Sequence, residues 1–288
     1  MKNLTLFISS SDDYADCWQP FFFLLQKFWP DCNLPIVLNT ESKSFAYDGL
    51  NVICTKAGTQ KRFGETFHKG LDQIKTDNIL LLMIDYFLMD KVDGEQLRNI
   101  YQAFVQRSLD GLYLVEMKTI QTTVPLTENI SLIAGPGQDR FSFQAAIWKK
   151  SSLKKYVLNH ETPWLAEQFG SMRFQYAKDR LAFVYQSIEP FKYLHTGVLH
   201  KGGWVKEAVP VLEGLGIALN WNARGFYEWK KPALAQRLMK RRKTALLEAK
   251  SRLHLLAVSR GWRVIESLVE SRRLSVMLLI LSSSAVKL

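Results

Sequence analysis

Cysteine is scarce in this chain: Cys17, Cys32 and Cys54 are its only three. The number is odd and no C-x-x-C spacing occurs, which excludes a disulfide framework and a paired redox motif. No charged-then-apolar-then-small leader opens the sequence, so the compartment expected is a reducing cytosol. No apolar run approaches the ~20 residues that a membrane-crossing helix needs, and Val276 to Leu281 is far too short. A glycine-rich phosphate turn is missing after the first apolar segment and no P-loop occurs, which removes the usual NAD and ATP folds. His160, His195 and His200 match no zinc spacing. There is no internal repeat, and apart from Ser282-Ser283-Ser284 no low-complexity stretch.

What is present is a folding composition, 47% hydrophobic and 12% aromatic over 288 residues, with room for one substantial core. The net charge of +11 is unevenly placed: between Lys231 and Arg273 stand twelve Lys/Arg against three Glu, which is +9 of the total. Two parts are expected, a domain over 1–230 and a basic amphipathic helical tail over 231–288. The tail interleaves its cations with Leu238, Leu246, Leu253, Trp262 and Leu268. Such a helix suits the headgroup region of an anionic membrane, where each Lys or Arg adds about 1 kcal/mol. The expectation is therefore a cytoplasmic protein held peripherally at the inner face of the cell membrane. A helix packed on the main domain is the alternative, and no recognisable module accompanies a nucleic-acid reading.

Along 1–230 short apolar segments alternate with amphipathic ones. Leu4 to Ile8, Leu34 to Leu38, Asn51 to Cys54, Leu112 to Val115 and Phe141 to Trp148 read as strands. Asn78 to Ile84 is almost wholly apolar, as befits a strand buried on both faces. Trp18, Phe21, Phe22, Leu25 and Phe28 recur at helical spacing until Pro30, and further helices are expected near 63–74, around Leu97 to Val105, and after Thr162-Pro163. This alternation predicts an α/β fold with a mostly parallel, doubly wound sheet.

In such a sheet ligands bind beyond the carboxyl ends of the strands. The residues to inspect are Ser10, Ser11, Asp12, Asp13 and Tyr14 after the first strand, Asn39, Thr40 and Glu41 after the second, and Asp85 and Tyr86 after the fourth. They read either as a nucleoside pocket or as turn and cap residues. Asp85 is the sharpest, because a carboxylate ending an apolar strand is costly to desolvate unless it meets a cation, a proton donor or an open cleft. Trp148 and Trp164 offer flat faces for sugar C–H groups, or for the core.

The order of these residues resembles bacterial GT-A-type glycosyltransferases associated with lipopolysaccharide and capsular polysaccharide synthesis, over about 1–230. The resemblance rests on Asp13-Tyr14-Ala15-Asp16 with Trp18-Gln19-Pro20-Phe21-Phe22, Trp29-Pro30-Asp31-Cys32 running into Pro35 to Glu41, Asp85-Tyr86-Phe87-Leu88, Gln144 to Trp148, and Glu161-Thr162-Pro163-Trp164 with Glu167 and Gly170-Ser171. It implies a GT-A-like, single Rossmann-like fold over that span, to which the helical tail is a C-terminal appendage. It also implies transfer of a sugar from a nucleotide-sugar donor to a glycan or lipid-linked acceptor. Asp85 is then the ligand of a divalent cation, Mg²⁺ or Mn²⁺, although Ile84 stands where the family carries a second acid. Lys61 or Arg62 is the alternative counter-charge for the leaving diphosphate. Glu161 is the first choice of general base, with Glu167 as a second carboxylate for acceptor hydroxyls, and Gly202-Gly203-Trp204 looks like a loop near the cleft. A non-catalytic nucleotide-sugar or glycan-binding relative of the same fold is the other reading.

Overall fold

The computed structural model describes residues 1–59, 61–228 and 234–260, the side chains of 234–244 excepted. The first half runs β1 (Leu4–Ser9), α1 (Ala15–Phe28), β2 (Ile36–Leu38), β3 (Val52–Cys54), α2 (Phe63–Gln73), β4 (Asn78–Met83), α3 (Gly94–Gln106) and β5 (Gly111–Tyr113). A hairpin of β6 (Thr123–Thr127) and β7 (Ile130–Ile133) follows, then β8 (Ala146–Lys149), α4 (Lys150–Tyr156), α5 (Pro163–Ala177) and β9 (Leu181–Val184). The ladder of β10 (Leu199–His200) and β11 (Gly203–Trp204), with α6 (Ala208–Gly214), α7 (Trp221–Arg224) and α8 (Leu234–Arg260), ends the described chain.

The centre of the sheet is the parallel pair β1 and β4, in register from Leu4 against Asn78 to Ser9 against Met83. Both strands are buried along nearly their whole length, which is why their sequences are continuous apolar runs. The sheet order is β3-β2-β1-β4-β8-β5-β9-β7-β6. Seven of the nine strands point one way, and β8 and β7 oppose them. The expected α/β class, with a large mostly parallel sheet and a helical C-terminal part, is present. From β1 the chain moves outward to β2 and β3 on one side and returns to β4 on the other, so a crevice opens between the carboxyl ends of β1 and β4.

The strand expected over Phe141 to Trp148 is different. It begins only at Ala146 and runs antiparallel between β4 and β5, because it is entered from a loop and not from a crossover helix. Phe141 and Phe143 lie in that loop and fill the core as rings, Phe141 stacking on Tyr156 at 5.2 Å and meeting Trp148 at 5.7 Å. Their apolarity came from packing, not from strand pairing. The short helix expected after Thr162 is the fifteen-residue α5, capped by the Thr162 hydroxyl accepting from the Leu165 N–H.

Helix α8 packs against α5. Ser251, His254 and Ala257 are buried at three-residue spacing, one stripe of the helix, and the Arg252 guanidinium lies 5.9 Å over the Phe169 ring. The packed-helix alternative thus describes 245–260. The remainder of the expected tail, 231–233, 261–288 and the side chains of 234–244, lies outside the described residues. Among the described residues no helix is long and apolar enough to cross a membrane.

Helix α2 begins in contact with the turn that leads to α5. The Gly64 N–H donates to the Glu161 carbonyl at 3.2 Å, and a Cβ on Gly64 would lie 2.0 Å from the Leu158 carbonyl oxygen. Backbone cannot yield to such a contact. Gly64→Ala is expected to destabilise the protein by about 1–3 kcal/mol, read as a lower midpoint in thermal unfolding; an unchanged midpoint would show that this turn is free to move.

Candidate active site at the carboxyl edge of the sheet

A cavity of about 330 Å³ occupies the crevice. Ser9, Ser10, Ser11 and Tyr14 form one wall and Met83 to Tyr86 the next; Phe63, Phe143, Gln144, Pro163, Trp164 and Glu167, with residues 195, 196 and 199–201, complete it. An adjoining hollow of about 890 Å³ shares Tyr14, Trp164 and Lys201 and adds Asp12, Asp13, Asp16, Lys43, Gly202 and Arg224.

After β1 the chain makes a tight turn, the Tyr14 N–H donating to the Ser11 carbonyl at 3.0 Å. The Ser10 hydroxyl accepts from the Trp18 indole at 2.8 Å, and the buried Ser9 hydroxyl at the cavity wall has no partner among the described residues. Burial, with the Asp85 carboxylate next in importance, raises the Tyr14 phenol above its ordinary value. Over that ring, at 5.1 Å, lies the Arg224 guanidinium, itself held by the Asp16 carboxylate, with Nε to Oδ2 at 2.7 Å, and by the Asp13 carbonyl. Asp13 is exposed on the rim of the adjoining hollow.

Asp12 and Glu41 serve the loop. Asp12 accepts from the N–H groups of Glu41, Ser42 and Lys43 at 2.9, 2.9 and 3.1 Å, and its own N–H donates to Glu41 Oε2 at 3.2 Å. Burial alone would raise the Asp12 carboxyl, yet these bonds and the Ser42 hydroxyl hold it below its ordinary value. Asn39 is buried beneath the end of β2, its Oδ1 accepting from the Thr55 hydroxyl at 2.8 Å. Neither Asn39 nor Glu41 lines the cavity. Arg62 precedes α2, exposed, and its charge acts on His160 and Lys250 rather than on the crevice.

Asp85 ends β4 at the cavity wall, where burial pushes its carboxyl up to about 7. Its carbonyl accepts from the Val198 N–H at 2.9 Å, and a Cβ on Gly197 would stand 2.5 Å from Oδ2; the loop crosses the carboxylate as bare backbone. Tyr86 stacks on Tyr193 at 4.7 Å, the Tyr193 hydroxyl donates to Gln144 Oε1 at 2.9 Å, and Gln144 Nε2 donates to the His195 carbonyl at 2.9 Å. These contacts fix residues 193–200 over the sheet edge. At the hairpin tip Lys201 and Gly202 have φ of +49° and +84°, the left-handed pair that a two-residue turn requires, and Lys201 reaches both hollows. Of the Gly202-Gly203 pair only Gly203 is closely approached: a Cβ there would meet the Tyr227 backbone N at 2.9 Å.

The two acidic residues near α5 take opposite places. Glu167 lines the cavity; its Oε1 accepts from the Ser142 hydroxyl at 3.0 Å and the Phe143 N–H at 2.9 Å, and burial raises its carboxyl above the ordinary value. Glu161, expected as the base, is fully buried and is not part of the cavity wall. Its carboxylate is gripped by Arg173, NH1 to Oε1 at 2.9 Å and NH2 to Oε2 at 2.7 Å, and accepts from the Ser251 hydroxyl at 2.7 Å and the Leu158 N–H at 2.9 Å. A carboxylate so placed does not touch a ligand in the crevice. Trp148 is likewise core, whereas Trp164 stands 58% exposed at the junction of the two hollows.

A Mg²⁺ or Mn²⁺ ion takes about six oxygen ligands. The cavity supplies the Asp85 carboxylate and serine hydroxyls, Glu167 Oε1 is already engaged, and no group of three His, Cys, Asp or Glu is gathered among the described residues. A cation at Asp85 would therefore draw its remaining ligands from water and diphosphate oxygens, since these residues do not enclose one by themselves. Positive charge is present instead, from Lys201 at the first hollow and Lys43 and Arg224 at the second. Sequence reasoning missed Lys201, Arg224 and the 193–200 loop; the glycines at 197 and 202 were the signal of a turn there.

No protein-family model matches the chain, and no curated protein matches it. Among solved structures, a fragment of S. aureus TarS (1–349) in complex with UDP-GlcNAc is similar at 13% identity and a TM-score of 0.46, over 93% of this chain and 90% of that one. A Drosophila β-1,4-galactosyltransferase 7 mutant in complex with manganese, UDP-Gal and xylobiose gives 12% and 0.36, over 82% and 79%. A UDP-glucose pyrophosphorylase complexed with UDP-glucose gives 10% and 0.37, over 67% and 91%. Likeness of this degree assigns no substrate and no residue role to the present chain.

Next to Glu161, the His160 ring shares a 3.0 Å hydrogen bond with the Ser251 hydroxyl. Burial first, then the charges of Lys250, Arg173, His254 and Arg62, lower it to about 3, and burial with Arg173 lowers His254 to about 4. Both values fall below the unfolded one, so the unfolded chain takes up protons first on acidification. Stability should be intact above about pH 6.5 and decline as pH falls toward these folded values. Thermal midpoints measured from about pH 7 to about pH 4 should drop less steeply in His160→Gln than in the native protein; parallel slopes would remove His160 from the account.

Proposed function

We propose that the chain is a GT-A-like glycosyltransferase that moves a sugar from a nucleotide-sugar donor to a glycan or lipid-linked acceptor in cell-surface polysaccharide synthesis, of the lipopolysaccharide or capsule kind. The observation that carries this reading is Glu167, a carboxyl raised by burial, on the wall of a cavity at the β1/β4 crevice that also holds Asp85 and Trp164. The lysine and arginine of the two hollows suit a diphosphate. Ser10, Ser11 and Tyr14 suit a nucleoside, with Asp13 at the rim.

In this reading the Trp164 ring receives the donor sugar's C–H face. The acceptor hydroxyl gives its proton to Glu167 as its oxygen bonds to the anomeric carbon. The bond from that carbon to the diphosphate oxygen breaks, its electron pair leaving with the nucleoside diphosphate. A single displacement of this kind inverts the anomeric centre. A base whose value is raised toward neutrality is matched to that task. The lone acid at Asp85, where the resembled family carries two, favours as second reading a non-catalytic relative, which would bind nucleotide sugars tightly without turning them over.

Glu167→Gln is expected to lower donor turnover by about 10²–10⁴-fold while thermal stabilisation by the nucleotide sugar persists. Activity of the native enzyme should fall as pH drops through the raised Glu167 value, so the acid limb of kcat/KM should lie above the ordinary carboxylate range. Full turnover by Glu167→Gln would end this assignment.

We also place the protein at the cytoplasmic face of the membrane, through the basic residues that follow the main domain. The native protein should sediment with phosphatidylglycerol vesicles and not with phosphatidylcholine ones. Replacing Lys240, Arg241, Arg242 and Lys243 by Gln and removing 261–288, which leaves the Ser251 contact in place, should release it; undiminished sedimentation would refute the attachment.

A further inference from the structure

A third hollow shares Glu167 with the cavity at the sheet edge. It measures about 560 Å³ and lies between the loop Pro136-Gly137-Gln138-Asp139 and the face of α5 that carries Gln168, Ser171, Met172 and Gln175. Positions 168, 172 and 175 are spaced four and three apart, so they form one exposed stripe of the helix. We propose that this hollow is the acceptor site and that it takes a neutral, hydroxyl-rich saccharide; the proposal rests on the transferase reading above.

The chemistry of the walls supports that class of ligand. Gln138, Gln168 and Gln175 each present an amide donor and an amide acceptor, the pair of functions a sugar hydroxyl needs because it both donates and accepts. Met172 adds an apolar, adaptable surface for a C–H face. Among the described residues no lysine or arginine lines the hollow, and the charge beside Glu167 is that of Asp139. A phosphate or a uronate would therefore meet two carboxyl groups and no cation.

The walls are also braced before any ligand arrives. The buried Arg140 guanidinium donates to the carbonyls of Gly135, Pro136 and Gln138 at 3.1, 3.2 and 3.2 Å. The Ser171 hydroxyl accepts from the Phe141 N–H at 3.1 Å and donates to the Phe141 carbonyl at 3.2 Å, which ties the loop to α5. A groove of fixed width loses little freedom on binding. Both hydrogen bonds that Glu167 accepts end on Oε1, so Oε2 is without a partner among the described residues. A carboxylate common to two hollows meets the requirement that the base touch the incoming hydroxyl while the donor occupies the other side.

The test uses the full chain with UDP-, GDP- and CMP-sugars as donors and, as acceptor probes, neutral oligosaccharides (cellobiose, lactose, maltotriose) beside the anionic sialyllactose and trigalacturonate. Saturation-transfer NMR reads oligosaccharide binding, and nucleotide release reads donor hydrolysis by water. Binding is expected for neutral probes and not for anionic ones. Met172→Trp, at an exposed position, should fill the hollow and weaken binding about tenfold or more, and Asp139→Lys should admit the anionic probes. Preference for the anionic probes, indifference of neutral binding to Met172→Trp, or intact hydrolysis with no neutral probe bound would each overturn the acceptor site. Absence of donor binding and hydrolysis in the native protein would instead overturn the transferase reading beneath it.

Discussion

The buried ion pair between Glu161 and Arg173 is the constraint on which the cavity wall depends. Arg173 bonds both carboxylate oxygens and also the Tyr156 carbonyl at 2.7 Å, while Glu161 collects Leu158 and Ser251. The end of α4, the turn before α5, the body of α5 and helix α8 therefore meet at one carboxylate. The Gly64 N–H reaches the Glu161 carbonyl as well, which adds the start of α2. A bidentate, charge-assisted pair in a dry interior is strong because its partners satisfy each other, and removing one partner of such a pair costs about 3–5 kcal/mol. Arg173 Nε has no partner among the described residues. Trp164 and Glu167 ride on the first two turns of α5, so their places follow from this anchorage.

Much of the fold was legible because its signals are local. The central strands announced themselves by unbroken apolarity, and Asp85 by ending one of them. Ser10, Ser11 and Tyr14 followed from the rule about strand ends. What failed depended on distant partners. Glu161 and Glu167 are both acidic, both near the start of α5, and their own local pattern does not say which one faces the crevice. The answer lies in Arg173, further along the helix, and in Ser251, ninety positions away. Asp12 and Glu41 answer each other across 29 positions, which turned candidate ligands into loop fasteners. Strand β8 misled for a related reason: the rings of Phe141 and Phe143 carry strand-like apolarity while packing in a loop.

The second half of the chain closes the site over the first. Arg224 returns across 208 residues to bond Asp16 at the start of α1, and in doing so covers Tyr14. The hairpin tip at Lys201 and Gly202 arrives from the same direction. Cations from late in the sequence thus meet hydroxyls and carboxyls from early in it, a division of labour that no short motif could reveal. Asp85 shares the wall of the first hollow with Lys201, so an early acid and a late cation face the same space.

The Ser251 contact gives the last described helix a mechanical role. A hydroxyl on α8 ends on the very carboxylate that orients α5, so the helix is bolted to the frame of the pocket and does not trail from it. The last described turns of α8 therefore hold a fixed place against the wall that carries Trp164 and Glu167.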